Sequence, residues 1–188
     1  MDFHETPSAG PCAERATAMQ GLIPELRTTR LVLRAPCIED FQDFARIVLS
    51  PQGATYGAPK TRQDAWDLFM QVTGTWFLRG HGTWVITLDG ETIGFVQLGA
   101  EPGDMEPELG YILDVAFEKQ GFGSEAAAAI RDVGLGDFAL PSLVSYVDVS
   151  NTRSVALATR IGGVLDQTAD WEHADTHRYR YSNKEARL

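Results

Sequence analysis

Between Leu109 and Ile130 a strand pattern runs directly into glycines and then into a strong helix former. Glu108-Leu-Gly-Tyr-Ile-Leu-Asp-Val115 reads as a strand, Gln120-Gly121-Phe122-Gly123-Ser124 turns the chain, and Glu125-Ala-Ala-Ala-Ala-Ile130 favours helix. After Pro141 the β-branched run Leu143-Val-Ser-Tyr-Val-Asp-Val149 follows. Strand, glycine loop, helix and strand in that order make a parallel crossover unit. Any fold for this chain must therefore hold at least one parallel strand pair with a helix on its face.

The chain before this unit reads as antiparallel. Arg30-Leu-Val-Leu-Arg-Ala-Pro36 is a strand stopped by proline, and Phe41, Phe44, Ala45, Val48 and Leu49 follow at helical spacing behind the acids Glu39 and Asp40. Pro51 to Lys60 is a loop. Thr61 or Asp64 caps a helix carrying Ala65, Leu68, Phe69, Val72, Trp76 and Phe77 on its apolar face, ended by Gly80-His-Gly82. Thr83–Leu88 and Thr92–Leu98 are strands joined by Asp89-Gly90, a strong hairpin signal. Downstream, Asn151 caps a helix with Val155, Ala158 and Ile161 on one face, closed by Gly162-Gly163, and Val164-Leu165 with Arg178-Tyr-Arg-Tyr181 form a closing hairpin. The expectation is one mixed α/β sheet in a single domain over residues 25–188. Residues 1–24 are expected to form a loose extension with a short helical stretch around Ala13 to Gln20.

Composition narrows the function classes. The 188 residues are 44% hydrophobic and 22% charged, the balance of an ordinary globular domain. No apolar run approaches the roughly 18 residues of a membrane helix, and from Met-Asp-Phe-His-Glu, which lacks a basic patch before an apolar stretch, no secretory signal is expected. The two cysteines, Cys12 and Cys37, are too few for a disulfide scaffold. A soluble cytoplasmic protein with free thiols is expected. The net charge of −10 disfavours nucleic acid, and the lack of a long apolar run leaves no membrane partner expected. It either draws in cationic substrates such as amines or serves solubility alone.

Glycines let a backbone approach a ligand closely, and the free N–H groups of a first helical turn favour an anion such as a phosphate. No lysine–Ser/Thr pair follows, so a nucleotide-hydrolase loop does not fit. Gly121-Phe-Gly123-Ser-Glu-Ala126 does satisfy the dinucleotide fingerprint, with Asp148 at the end of the next strand. That reading gives an NAD(P)-binding oxidoreductase, although the motif stands late, behind antiparallel strands. The third reading is a tight strand–helix turn and nothing more.

Three stretches carry a family resemblance. They are Leu26-Arg-Thr-Thr-Arg-Leu-Val-Leu-Arg34 with Glu39-Asp40-Phe41, then Glu108-Leu-Gly-Tyr111 with Gly121-Phe-Gly-Ser-Glu-Ala126, and Asn151-Thr-Arg-Ser154 through Arg160-Ile-Gly162. In this order they resemble the GNAT superfamily of acyl-CoA-dependent N-acetyltransferases, nearest its RimJ/RimL branch. The resemblance implies a GNAT fold of about seven strands and about four helices, splayed between its fourth and fifth strands. It implies acetyl transfer from acetyl-CoA, without a metal, to a primary amine of a peptide or small molecule by direct attack in a ternary complex. Homodimers are frequent among such proteins. A catalytically impaired acyl-CoA or partner-binding module is the alternative.

The resemblance also assigns roles. Gln120, Gly121, Phe122, Gly123 and Ser124 would bind the pyrophosphate, and the backbone of Leu113 and Val115 would pair with the pantetheine arm beside the developing oxyanion. Glu108 is the candidate general base, or an idle carboxylate at a strand end. Ser154 would contact the thiol sulfur, or only help to cap its helix. Asn151 would bond the pantetheine arm, cap the helix, or do both. Trp84, Tyr111 and Phe95 would line a substrate pocket or pack in the core. The chain departs from the family at Glu118-Lys119, where an acid replaces Arg, Gln or Trp, and at Gly163, where phenylalanine is usual. Ala158 stands where many relatives have a tyrosine acid. His173 and His177, near Glu172 and Asp175, read as loop rather than metal ligands, and Cys37 has no histidine partner for a thiol nucleophile.

Overall fold

The computed structural model describes residues 2–51, 53, 59–168 and 175–182. Its helices are α1 (Pro11–Gln20), α2 (Phe41–Val48), α3 (Arg62–Arg79), α4 (Phe122–Leu135) and α5 (Thr152–Arg160). The strands are β1 (Leu26–Arg27), β2 (Val32–Arg34), β3 (Thr83–Leu88), β4 (Glu91–Gly99), β5 (Glu108–Leu113), β6 (Leu143–Asp148), β7 (Val164–Asp166) and β8 (Thr176–Tyr181). They form one eight-stranded sheet in the order β1-β2-β3-β4-β5-β6-β8-β7. Every neighbouring pair is antiparallel except β5–β6. The expected count of about seven rises to eight because Leu26 and Arg27 pair with Leu33 and Val32.

Local chemistry sets the boundaries. Asp89 and Gly90 both take positive φ, 49° and 85°, the geometry that lets a two-residue turn follow the strand twist. At α3, Thr61 accepts from the Asp64 N–H at 3.1 Å, and the Asp64 carboxylate accepts from the Thr61 N–H at 2.9 Å. Asn151 Oδ1 accepts from the Ser154 N–H at 3.1 Å and starts α5.

The sheet has two covered faces. On one, Phe41, Phe44 and Phe69 of α2 and α3 pack on Val85, Phe95 and Ile112. On the other, Phe122, Ala126 and Ile130 of α4 pack on Trp84, Val96, Leu98 and Leu113. Fully buried aliphatic and aromatic side chains of this kind each stabilise by about 1.5–3 kcal/mol.

The first turn of the N-terminal segment is tied down, while α1 buries none of its residues. Glu5 is 2% exposed, and its carboxylate accepts from Arg62 at 2.5 and 2.8 Å and from Gln42 at 3.0 Å. His4 stands edge-on to Trp66 at 4.6 Å. The segment ties α2 to α3, a pairing across 57 positions that local sequence does not carry. Among the described residues, no helix is long and apolar enough to cross a membrane.

Candidate active site

The site begins where β5 and β6 part. Their ladder holds a single register pair, Glu108 with Val144, and the Val144 N–H donates to the Pro107 carbonyl at 3.0 Å. The next rung of a parallel ladder would join the Tyr146 N–H to the Leu109 carbonyl. Instead, the Tyr146 N–H donates to the Glu108 carboxylate at 3.3 Å, and the Ser145 hydroxyl donates to the Leu109 carbonyl at 2.6 Å. Side chains replace the rung, and the strands diverge beyond it. The expected splay is therefore present, with Glu108 at its apex.

The strand period fixes which backbone faces the gap. The Asp114 N–H donates to Ile93 of β4 at 2.9 Å, so even-numbered positions face β4 and Tyr111 and Leu113 face the gap. Val115 is a correction. Asp114 accepts from the Ala116 N–H at 2.9 Å, turns the chain into a 3-10 turn and leaves Val115 57% exposed outside the strand. Tyr111, not Val115, shares the gap-facing backbone with Leu113.

A cleft of about 390 Å³ continues from this gap. Of the residues singled out in the sequence, Leu113, Gly121, Gly123, Ser124, Asn151, Ser154 and Tyr111 line it together. Gly121 caps α4 at φ 86°, in the left-handed region that favours glycine. A Cβ on Gly123 would stand 3.3–3.4 Å from Leu157, Leu113 and Tyr111, which leaves little room between the helix start and α5. The first N–H groups of α4 have no intrahelical acceptor and carry the positive end of its dipole.

Gln120 and Phe122 do not line the cleft with their side chains. Gln120 Nε2 donates to the Ala116 carbonyl at 3.0 Å, and Phe122 is buried beneath the Arg30 guanidinium, 4.3 Å from its ring centroid. Trp84 is a second correction. It is fully buried, stands edge-on to Trp76 at 4.5 Å and donates to the Pro24 carbonyl at 2.8 Å. Phe95 is likewise core, edge-on to Phe44 at 5.0 Å.

Charge around the cleft is uneven. Glu118 is paired with Arg153 of α5, so the unusual acid is neutralised from across the cleft. Lys119 and Arg160 line the same cleft and have no carboxylate partner among the described residues; Arg160 donates to the Ser124 hydroxyl at 3.3 Å. In a chain of net charge −10, two uncompensated cations beside a helix N-terminus make a site for an anion. Sequence reasoning missed Arg153 and Arg160. Their signal was seven-residue spacing, which sets both on one helix face.

The opposite end of the gap is acidic. Burial pushes the Glu108 carboxyl up to about 8, and Asp104 and Glu101 add like charge. Burial also raises the carboxyls of Asp104 and Glu101 themselves. Ser154 Oγ lies 3.2 Å from the Tyr111 hydroxyl, and burial raises that phenol.

The remaining candidates fall outside the cleft. Burial and Asp40 hold the Cys37 thiol up to about 12, so it stays protonated. Asp2, His4 and Glu5 bring ligand atoms within 4.8 Å of one another, but both Glu5 oxygens are already engaged by Arg62 and Gln42. His173 and Glu172 lie outside the described residues. Asp148, the ribose candidate, accepts locally from the Ser150 N–H and hydroxyl at 2.7 and 2.6 Å.

Residues 30–164 match the family described as the acetyltransferase (GNAT) domain. The chain belongs to the GNAT family. The GNAT assignment makes it an acetyltransferase and replaces the oxidoreductase reading of its glycines. An acetyltransferase of Agrobacterium tumefaciens strain C58 is similar at 38% identity and TM-score 0.80, over 86% of this chain and 95% of that one. A GNAT-family acetyltransferase of Bacillus anthracis shares the fold at 17% identity and TM-score 0.68, over 84% and 98%. So does RimL, a ribosomal-protein alpha-N-acetyltransferase solved with coenzyme A, at 24% identity and TM-score 0.62, over 84% and 94%.

Proposed function

We propose that this GNAT protein moves the acetyl group of acetyl-CoA onto a primary amine by direct attack in a ternary complex. One observation carries the reading. A cleft runs from the Gly121–Ser124 turn, Lys119 and Arg160 to the gap-facing Tyr111 and Leu113, and Glu108 stands beyond its lining at the apex of that gap. The cations and the first amides of α4 would hold the pyrophosphate. The gap-facing amides of Tyr111 and Leu113 would align the pantetheine arm and oppose negative charge developing on the acyl oxygen. Bound acetyl-CoA supplies an acyl group already activated as a thioester.

Glu108 takes the proton of the attacking amine, directly or through water. A carboxyl near 8 is a far stronger base than an ordinary one, and its value lies near working pH. Glu101 and Asp104 favour approach of a cationic acceptor. The acceptor class is the α-amine of a peptide or a small polyamine-like amine; the fold shared with RimL supports the first. Ser154 stands on the sulfur side, and residues 25–188 act as one catalytic domain.

Thermal shift with acetyl-CoA, CoA and NAD side by side tests the donor. A ligand at a hundred times its Kd stabilises by about 2.7 kcal/mol. Both CoA forms are expected to raise Tm and NAD to leave it unchanged. Release of CoA is then followed with alanine- and serine-initiated peptides and with spermidine. Binding of acetyl-CoA without turnover of any of these amines would favour the impaired module instead.

A further inference from the structure

We propose that Tyr111 supplies, through Ser154, the proton that the departing sulfur takes, so that a strand tyrosine and a helix serine together form the acid of the reaction. The proposal rests on the acetyl-transfer reading above. Its geometry comes from two elements that meet across the cleft. Tyr111 is on β5 and Ser154 on the first turn of α5, 43 positions apart, and their hydroxyls lie 3.2 Å from each other on the cleft wall. The helix offers no second hydroxyl for the task at position 158. Ala158 is 2% exposed and packs with Val147 and Tyr179.

Acidity sets the direction of the hydrogen bond. A phenol is a much stronger acid than an alcohol, so Tyr111 donates and Ser154 accepts. Ser154 then keeps its own proton free to point into the cleft. The Ser154 backbone N–H is engaged with Asn151 at 3.1 Å, which fixes the residue at the helix start. Around Tyr111 stand Arg153 and Ser154 of α5, Glu118 of the loop and Tyr181 of β8. Burial keeps the phenol protonated in the resting protein.

The proton count closes. As the amine nitrogen bonds to the carbonyl carbon, the C–S bond breaks and sulfur leaves with the electron pair. Ser154 gives that sulfur its proton and takes the proton of Tyr111. The amine's proton passes to Glu108 and on to water, and water returns one proton to Tyr111. The products are the amide and the free thiol. Tyr111 acts through Ser154 and is a positioning and proton-supplying residue, whereas Ser154 meets the sulfur.

The test uses the full chain with Tyr111→Phe, Ser154→Ala and the double variant, acetyl-CoA as donor and the best acceptor of the amine panel. Each single change should lower kcat by about 10²-fold, the low end for general acid catalysis, with KM for acetyl-CoA within about twofold. The double variant should fall no further than either single one. A readout without turnover is the ¹³Cζ resonance of Tyr111. Its titration should move upward in Ser154→Ala, and CoA should shift the resonance where desulfo-CoA does not. Wild-type kcat in Tyr111→Phe, losses that multiply in the double variant, or equal response to CoA and desulfo-CoA would overturn the proposal while leaving acetyl transfer intact. A wild-type protein that acetylates no amine overturns both readings.

Discussion

Arg30 grips Glu125 twice, with its backbone N–H at 2.8 Å and its side-chain Nε at 2.7 Å, across 95 positions of sequence. Thr28 adds its hydroxyl at 2.6 Å to the same carboxylate, and Arg30 Nη1 donates to the Gln120 carbonyl at 3.0 Å. The β1–β2 turn therefore holds the glycine loop and the first turn of α4 in place. Glu125→Ala should lower stability by about 1 kcal/mol, after discounting for the half-exposed arginine. That corresponds to a fall of about 2–4 °C in Tm. Calorimetry of the two proteins checks it, and acetyl-CoA titration should show weaker binding in the variant.

Removing the unpaired charge at the mouth of the cleft should act on binding alone. Arg160→Ala is expected to raise the Kd for acetyl-CoA about tenfold, equivalent to about 1.4 kcal/mol, with little change in Tm. The loss should shrink as salt rises, because screening already weakens the same attraction in the wild type. Titrations at low and high ionic strength decide it.

The pH dependence follows from Glu108. Its carboxyl titrates at about 8 in the folded chain against an ordinary value of 4.5. As base it must be ionised, so kcat/KM should climb with pH and level off above about 8. Stability runs the other way. The protonated carboxyl suits its buried place, so this contribution is full below the ordinary value and is lost as pH rises through about 8. Glu108→Gln should abolish turnover, keep acetyl-CoA binding, and melt higher than wild type at pH 9 but not at pH 4.

At the other end of the chain the sign reverses. Arg62 holds the Glu5 carboxyl down to about 2 from 4.5. The contribution is present above 4.5 and is lost as pH falls toward about 2. Arg62→Ala should lower Tm near neutral pH, and the gap to wild type should narrow in acid. Tm measured across that range checks it.

Local signals were legible because their chemistry is local. Asp89-Gly90, the Thr61–Asp64 cap, Asn151 and the Gly121 turn each act within a few positions, and the structure has them where the sequence puts them. The site was legible in outline and not in its electrostatics. Glu118 read only as a departure from the family pattern because its partner, Arg153, comes from α5, 35 positions away. The upward shift of Glu108 comes first from burial and then from Asp104, and the Tyr146 N–H that donates to the carboxylate opposes it; only tertiary packing determines these. Val115 was misplaced because Asp114 ends the strand with a side-chain cap that a strand pattern does not show. Trp84 has the same residue type whether it lines a pocket or fills a core; its Pro24 contact, 60 positions away, settles the matter.

The single register pair between β5 and β6 also divides the molecule mechanically. On one side lie β1 to β5, on the other β6, β8 and β7, and beyond Glu108–Val144 the seam is closed by side chains rather than backbone rungs. A long ligand lying in that seam would fasten the two slabs together much as a zip does. Amide exchange along β6 and β8 should then slow when acetyl-CoA is added, even at positions the ligand never touches.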